Sequence, residues 1–244
     1  MIDTQLAEEA AQMLIEDKAA QFDKLVRQAA NLVRDGNNLG KAVKQAKKAV
    51  ALLPDMPSGY YTLGSALEAN CSPSLASQAY LLGMAKADKS ASAELDPTVW
   101  AECASSTYAM LVVCDDVPRP PWWEDTQLLK LSERAVTLLP GSLRAQKWRA
   151  DVLSGLQAAL PEYADRQPHQ LREAADHFQQ VAKLQTSADA KRGMVKAGIA
   201  CRARADAIEA HFARQAQPQS ASSAGASSSE PSVSNEAHVA TYAY

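Results

Sequence analysis

Glu173 and His177 stand four residues apart, the spacing that sets a carboxylate and an imidazole on one face of a helix, where they could share a metal ion. Two ligands do not make a metal site, and the ordinary reading of such a pair is a contact between neighbouring turns of an exposed helix. The other histidines are His169, His211 and His238. Cys71, Cys103, Cys114 and Cys201 are scattered through helical-looking stretches with no CxxC pair, so neither zinc nor a redox couple is indicated. They read as reduced, mostly buried thiols. The sequence holds no GxxxxGK[ST], no GxGxxG after a strand, no HExxH and no GxSxG. The expectation is a protein without catalytic residues, metal or cofactor.

The elements that would position such residues look helical. Only ten glycines occur among 244 residues, and the apolar content is dominated by alanine and leucine, which favour helix over strand. A net charge of −3 supplies no basic field for nucleic-acid phosphates, so nucleic acid is a poor candidate partner. Asp3, Glu8, Glu9, Glu16 and Asp17 make the beginning of the chain unlike a signal or transit peptide. No apolar run reaches the roughly 18 residues that a membrane span needs. A soluble cytoplasmic protein is expected, with a nuclear location as the alternative.

Internal repetition organises the chain. KAVALLP, ending at Pro54, recurs as RAVTLLP, ending at Pro140. Ala42, Ala46 and Ala49 precede Pro54 at the spacing of a helix face, and Val26, Ala29, Ala30 and Val33 form a face on the helix before. A second unit carries Tyr60, Leu63, Gly64 and Leu67 on its first helix, then Ala76, Tyr80 and Gly83 on its second. These residues resemble the tetratricopeptide repeat family, a two-helix unit of about 34 residues. In that pattern small residues let paired helices approach closely, and Tyr60 and Tyr80 would fill the gaps between units.

A third unit runs from Pro97 with Trp100, Cys103, Ala104 and Thr107, and continues with Leu128, Ala135 and Pro140 after a loop about 12 residues too long. A fourth starts near Leu143 with Ala150 and Leu153, and resumes at Ala174, Phe178 and Val181 after an excess containing Pro161 and Pro168. Pro140 follows Pro54 by 86 residues, 18 more than two units of about 34. About 6 of these fit a longer second helix near Ala87 to Ala93 and about 12 the loop after Leu111.

The expected organisation is all-α: an antiparallel helix-pair solenoid of about four units between capping helices. An N-terminal capping helix occupies residues 1–22, the repeat domain 23–186 with units from about 23, 57, 97 and 143, and a C-terminal capping helix 187–215. Met194, Val195, Ile199 and Ile208 mark the apolar face of that last helix. Residues 216–244 are rich in serine and alanine with few large apolar side chains, and are expected to form a disordered tail whose serines are potential phosphorylation sites.

What the resemblance implies about function is a concave surface lined by the first helix of each unit, which binds a partner polypeptide. On this chain that surface would present Lys24, Arg27, Asn31 and Arg34 from unit one. Unit two would add Tyr61, Ser65 and Glu68, unit three Ala101, Ser105 and Tyr108, and unit four Arg144, Lys147 and Asp151. Basic ends and a tyrosine-lined middle suit an extended peptide with acidic residues. The family's clamp for the acidic tails of heat-shock chaperones is only partly present. Arg27 and Asn31 fit its first helix, whereas Thr62, Thr98 and Glu102 occupy its other positions, and Glu102 would repel a carboxylate.

A second candidate surface is the insertion Asp115 to Asp125, DDVPRPPWWED. Its prolines stiffen the loop and set Trp122 and Trp123 as aromatic anchors, unless the indoles fold back over unit three. Lys41, Lys44, Lys47 and Lys48 form a cationic outer face. The expected function is a protein-binding scaffold or assembly adaptor. The alternatives are a co-chaperone for chaperone tails and a structural subunit of a larger complex.

Overall fold

Neither proline nor glycine interrupts the sequence between Met1 and Gly36, and the result is one helix, α1, over Ile2–Arg34. The computed structural model describes residues 2–89, 97–155 and 166–216, with side chains from residue 12 onward. Residues 1–22 were expected as a separate capping helix. Instead they run without a break into the first helix of the first pair, because no helix-ending residue stands between them. Gly36 ends the helix with φ 65°, a left-handed turn that glycine adopts without a Cβ penalty.

The remaining helices are α2 (Leu39–Leu52), α3 (Pro57–Ala69), α4 (Pro73–Lys89), α5 (Pro97–Val113), α6 (Asp125–Leu138), α7 (Leu143–Ser154), α8 (Pro168–Leu184) and α9 (Ala188–Ala216). Four of them open on proline, whose fixed φ and missing N–H suit the first helical position. Ser142 caps α7 by accepting a hydrogen bond from the Ala145 N–H. The expected extension of the second unit's helix to Ala93, the excess around Pro161 and the serine-rich tail lie on residues 90–96, 156–165 and 217–244, outside the described residues.

The two copies of the LLP motif fold alike. Leu53 and Leu139 both leave the helix at φ −132°, because the following proline excludes the helical region for its predecessor. Their N–H groups donate to Ala49 and Ala135. The carbonyls of Pro54 and Pro140 each accept from the residue six positions on, from Tyr60 Oη at 3.0 Å and from Gln146 Nε2 at 2.7 Å. The buried faces before them match in register: Ala42, Ala46 and Ala49 in α2, and Leu128, Ser132 and Ala135 in α6.

Every helix packs on the next in sequence, and α1 also touches α3, α3 touches α5, and α5 touches α7. The first helices of the pairs therefore lie side by side along one face, with their partners behind. Among the described residues the fold is all-helical, built of consecutive packed helix pairs in the manner of an α-solenoid.

Small residues set the close approaches. A Cβ built on Gly83 would lie 2.7 Å from Cys103 Sγ and 3.1 Å from Tyr60 Cβ, so α4 rests against both α3 and α5 at this point. Tyr80 lies fully buried across Gly64 inside the second pair, not in the gap between pairs. Trp100 is buried beneath Arg134, whose guanidinium carbon stands 3.8 Å from the ring centroid.

The last helix buries a different face from the one its large residues suggest. Gly198, Cys201 and Ala205 are its buried residues and Met194 and Ile208 are half-buried, while Val195 and Ile199 face outward. The seam follows the small residues because α9 comes close enough to α8 that a Cβ on Gly198 would lie 3.2 Å from the Ala175 carbonyl oxygen.

Candidate partner-binding groove

The face shared by α1, α3, α5 and α7 carries most of the residues expected to contact a partner, but it does not present them uniformly. Lys24, Arg27, Asn31 and Arg34 are exposed along α1. Arg34 donates to Asn31 Oδ1 at 2.5 Å, and Arg27 Nε donates to the carbonyl of Asp23 at 3.3 Å. Tyr61 and Ser65 on α3 are half-buried. Tyr61 sits 5.8 Å from the ring of Tyr80, and burial, reinforced by the charge of Glu102, pushes its phenol up to about 12.

The third pair departs from expectation. Ala101, Ser105 and Tyr108 are all buried, Tyr108 to 3% exposure. Tyr108 stacks between Trp148, 5.2 Å away, and Trp123, 5.5 Å away, with both ring pairs inclined by 22°. The loop after α5 folds back to make this stack. Trp122 and Trp123 are half-buried against Leu111, Cys114 and Val117, and the Arg119 guanidinium carbon lies 4.9 Å from the Trp123 ring centroid. Arg119 also donates to the Leu111 carbonyl. The two indoles therefore pack on the chain itself instead of standing out as anchors, because Trp123 stacks on Tyr108 and Trp122 tilts against Trp123 at 5.8 Å, which removes apolar area from water.

The expected basic far end is neutralised internally. Arg144 Nη2 pairs with Glu68 Oε1 at 2.5 Å, its Nη1 donates to Ser106 Oγ at 2.8 Å, and Tyr80 Oη donates to Glu68 Oε2 at 2.8 Å. Burial works against the Arg144 charge, but Glu68 and Tyr80 outweigh it and raise its pKa. Lys147 Nζ lies 2.6 Å from Asp151 Oδ2, and burial of Asp151 raises its carboxyl pKa against the pull of that lysine. An acidic partner reaching this end would have to displace carboxylates already in place. Glu68 and Arg144 are 76 residues apart in sequence, and no local pattern signals their pairing.

Between these groups an open cavity of about 420 Å³ is lined by Tyr61, Glu102, Ser105, Ser106, the turn 138–142 and Arg144. It draws on α3, α5 and the α6–α7 turn, so three successive helix pairs shape one recess. Clefts of this size hold a side chain or a short peptide segment. Lys41, Lys44, Lys47 and Lys48 are exposed on α2.

Glu173 and His177 do come together, with His177 Nε2 3.6 Å from Glu173 Oε1, but other partners already engage both. Arg149 donates twice to Glu173 Oε1, at 2.9 and 2.7 Å, and His177 Nδ1 lies 2.6 Å from Gln146 Oε1. Burial lowers the His177 pKa; Glu173 opposes this and Arg149 adds to it. Folded His177 is thus held neutral relative to the unfolded chain. Its contribution to stability is complete above the ordinary histidine value of about 6.5 and is lost as pH falls through the lower folded value. Subtracting the urea stability of His177→Gln from that of the wild type at each pH should give a difference that shrinks below pH of about 6.5; a difference that grows would contradict this geometry.

Among the described residues no group of three His, Cys, Asp or Glu side chains converges as a metal site, and no helix is long and apolar enough to cross a membrane. The four cysteines are free thiols, with Cys71 exposed and the others buried; burial pushes Cys103 up to about 12. Among the described residues this geometry defines an all-helical class of stacked helix pairs with an open recess on the face of the first helices. No protein-family model matches the chain, and no curated protein is detectably similar to it in sequence.

Proposed function

We propose that this chain is a tetratricopeptide-type repeat protein, a non-enzymatic scaffold or assembly adaptor that binds a partner polypeptide along the face of α1, α3, α5 and α7. The observation that carries the reading is the 420 Å³ recess, where Tyr61, Glu102, Ser105, Ser106 and Arg144 from three helix pairs border one space. The matching geometry at Pro54 and Pro140 supports the repeat.

On this reading an extended segment would enter along the exposed Lys24, Arg27 and Arg34 of α1, where acidic residues of the partner gain charge-assisted contacts. It would reach the recess with side chains that suit a phenol, hydroxyls and the Glu102 carboxylate. The chaperone-tail reading gains no support from this site, since Thr62 is buried and Glu102 lines the recess.

The test compares two triple charge reversals. Lys24→Glu, Arg27→Glu and Arg34→Glu alter exposed side chains of the inner face; Lys44→Glu, Lys47→Glu and Lys48→Glu do the same on the outer helix α2. Affinity purification from native lysate should lose bound polypeptides by about tenfold or more with the first variant and keep them with the second. Equal retention by both would remove the inner face from the account.

A further inference from the structure

Both ends of the helix stack carry apolar side chains that no described residue covers, and their surroundings are opposite in charge. Met13, Leu14 and Ile15 lie on α1 before Phe22, the first buried side chain among those described, and are 70%, 56% and 60% exposed. Every side chain from residue 12 to 21 is exposed. This stretch projects about 15 Å beyond the first helix pair at 1.5 Å per residue. Glu16 and Asp17 follow the apolar cluster directly, and Lys18 is the sole base among Met1 to Asp23.

At the other end α9 buries Gly198, Cys201 and Ala205, and turns Val195 and Ile199 outward, the latter 62% exposed. Lys191 precedes Val195 by one helical turn, and Lys196 adjoins it. Arg192 and Arg202 are held by Asp189 and Asp176, whereas Lys191 and Lys196 enter no ion pair among the described residues. Clustered large apolar residues on rigid exposed helices mark contact surfaces, and the open ends of a helix stack are its least satisfied parts.

We propose that the α1 arm of one molecule docks on the Lys191–Ile199 face of α9 in a second copy, so that the chain self-associates head to tail. Pairing like with like would set Glu16 and Asp17 against the same acids, or Lys191 and Lys196 against the same lysines. Only the arm on α9 joins apolar to apolar and acid to base. A contact between two different patches leaves one free arm and one free α9 face on each pair, so further copies add as the concentration rises until a ring closes.

Sedimentation velocity of the full chain at low salt tests this. The wild type should form species larger than one chain as concentration rises, and added salt should weaken them. E16K/D17K and K191E/K196E should each raise the dissociation constant by about tenfold or more. Mixing these two variants should restore association, because the unchanged arm of K191E/K196E meets the unchanged α9 face of E16K/D17K and the two reversed surfaces also match; misfolded variants would not regain it. A wild type that stays monomeric throughout overturns the proposal. So does retained association in K191E/K196E, which would place arm against arm, or failure of the mixture to recover.

Discussion

Trp148→Ala is expected to lower folding stability by about 3–5 kcal/mol, the range for removing a large aromatic side chain from a packed core. Trp148 is fully buried between α5 and α7, and its ring carries one side of the stack that continues through Tyr108 to Trp123. Its Nε1 has no hydrogen-bond partner among the described residues, so packing accounts for the loss. Trp148→Phe keeps an aromatic face against Tyr108 and removes the unpaired N–H, so it should lose less, about 1–2 kcal/mol. Urea unfolding reads both as shifts of midpoint at constant slope. Because the stack also anchors the loop after α5, Trp148→Ala should leave Trp122 and Trp123 more open to acrylamide quenching. A wild-type midpoint in Trp148→Ala would mean that the stack does not hold α5 and α7 together.

Gly64→Ala is expected to destabilise the protein by about 1–3 kcal/mol, although alanine is intrinsically the better helix former by about 1 kcal/mol. The added Cβ would lie 2.5 Å from Tyr80 Cε1 and 2.6 Å from Cδ1. Tyr80 cannot retreat easily, since it is fully buried and its hydroxyl is committed to Glu68. Gly40 provides the contrast. It sits in α2 with no described atom within 4 Å of a built Cβ, so Gly40→Ala should gain up to about 1 kcal/mol. Opposite signs for the two substitutions in thermal or urea unfolding would confirm that contact with Tyr80, not helix propensity, decides the outcome at Gly64. A stabilised Gly64→Ala would refute the close approach of α3 and α4.

How much of this was legible in the sequence depends on how local its cause is. The ends of α2 and α6 follow from proline restricting Leu53 and Leu139, and the starts of α3 and α5 from prolines at their first positions; these are effects of adjacent residues. Their repetition at Pro54 and Pro140 made the helix pairs visible. The division of α1 into a cap and a first repeat helix had no such cause behind it, since nothing between Met1 and Gly36 stops a helix. The large apolar residues of α9 point to a seam that the helix does not use, because Gly198 and Ala205 let the backbone approach on another side.

The groove was legible only where its residues act alone. Lys24, Arg27 and Arg34 are exposed because α1 turns that side to solvent. Tyr108 was placed on the surface by its register, yet a loop that folds back over α5 covers it, and no periodicity encodes that return. Glu68 and Arg144 each looked like a surface charge. Their neutralising contact spans three helix pairs and exists only once the stack has formed.

Site-specific photo-crosslinking asks whether the face of the first helices receives a partner polypeptide. A photoreactive aromatic residue replaces Tyr61 at the rim of the recess in one version of the chain, and Lys47 on the outer face of α2 in another. Both are irradiated in native lysate, and the bands are identified by mass spectrometry. A discrete crosslinked polypeptide is expected from position 61, absent from position 47 and lost when Lys24, Arg27 and Arg34 are reversed to glutamate. The same polypeptide captured from position 47, or none from position 61, would contradict that expectation.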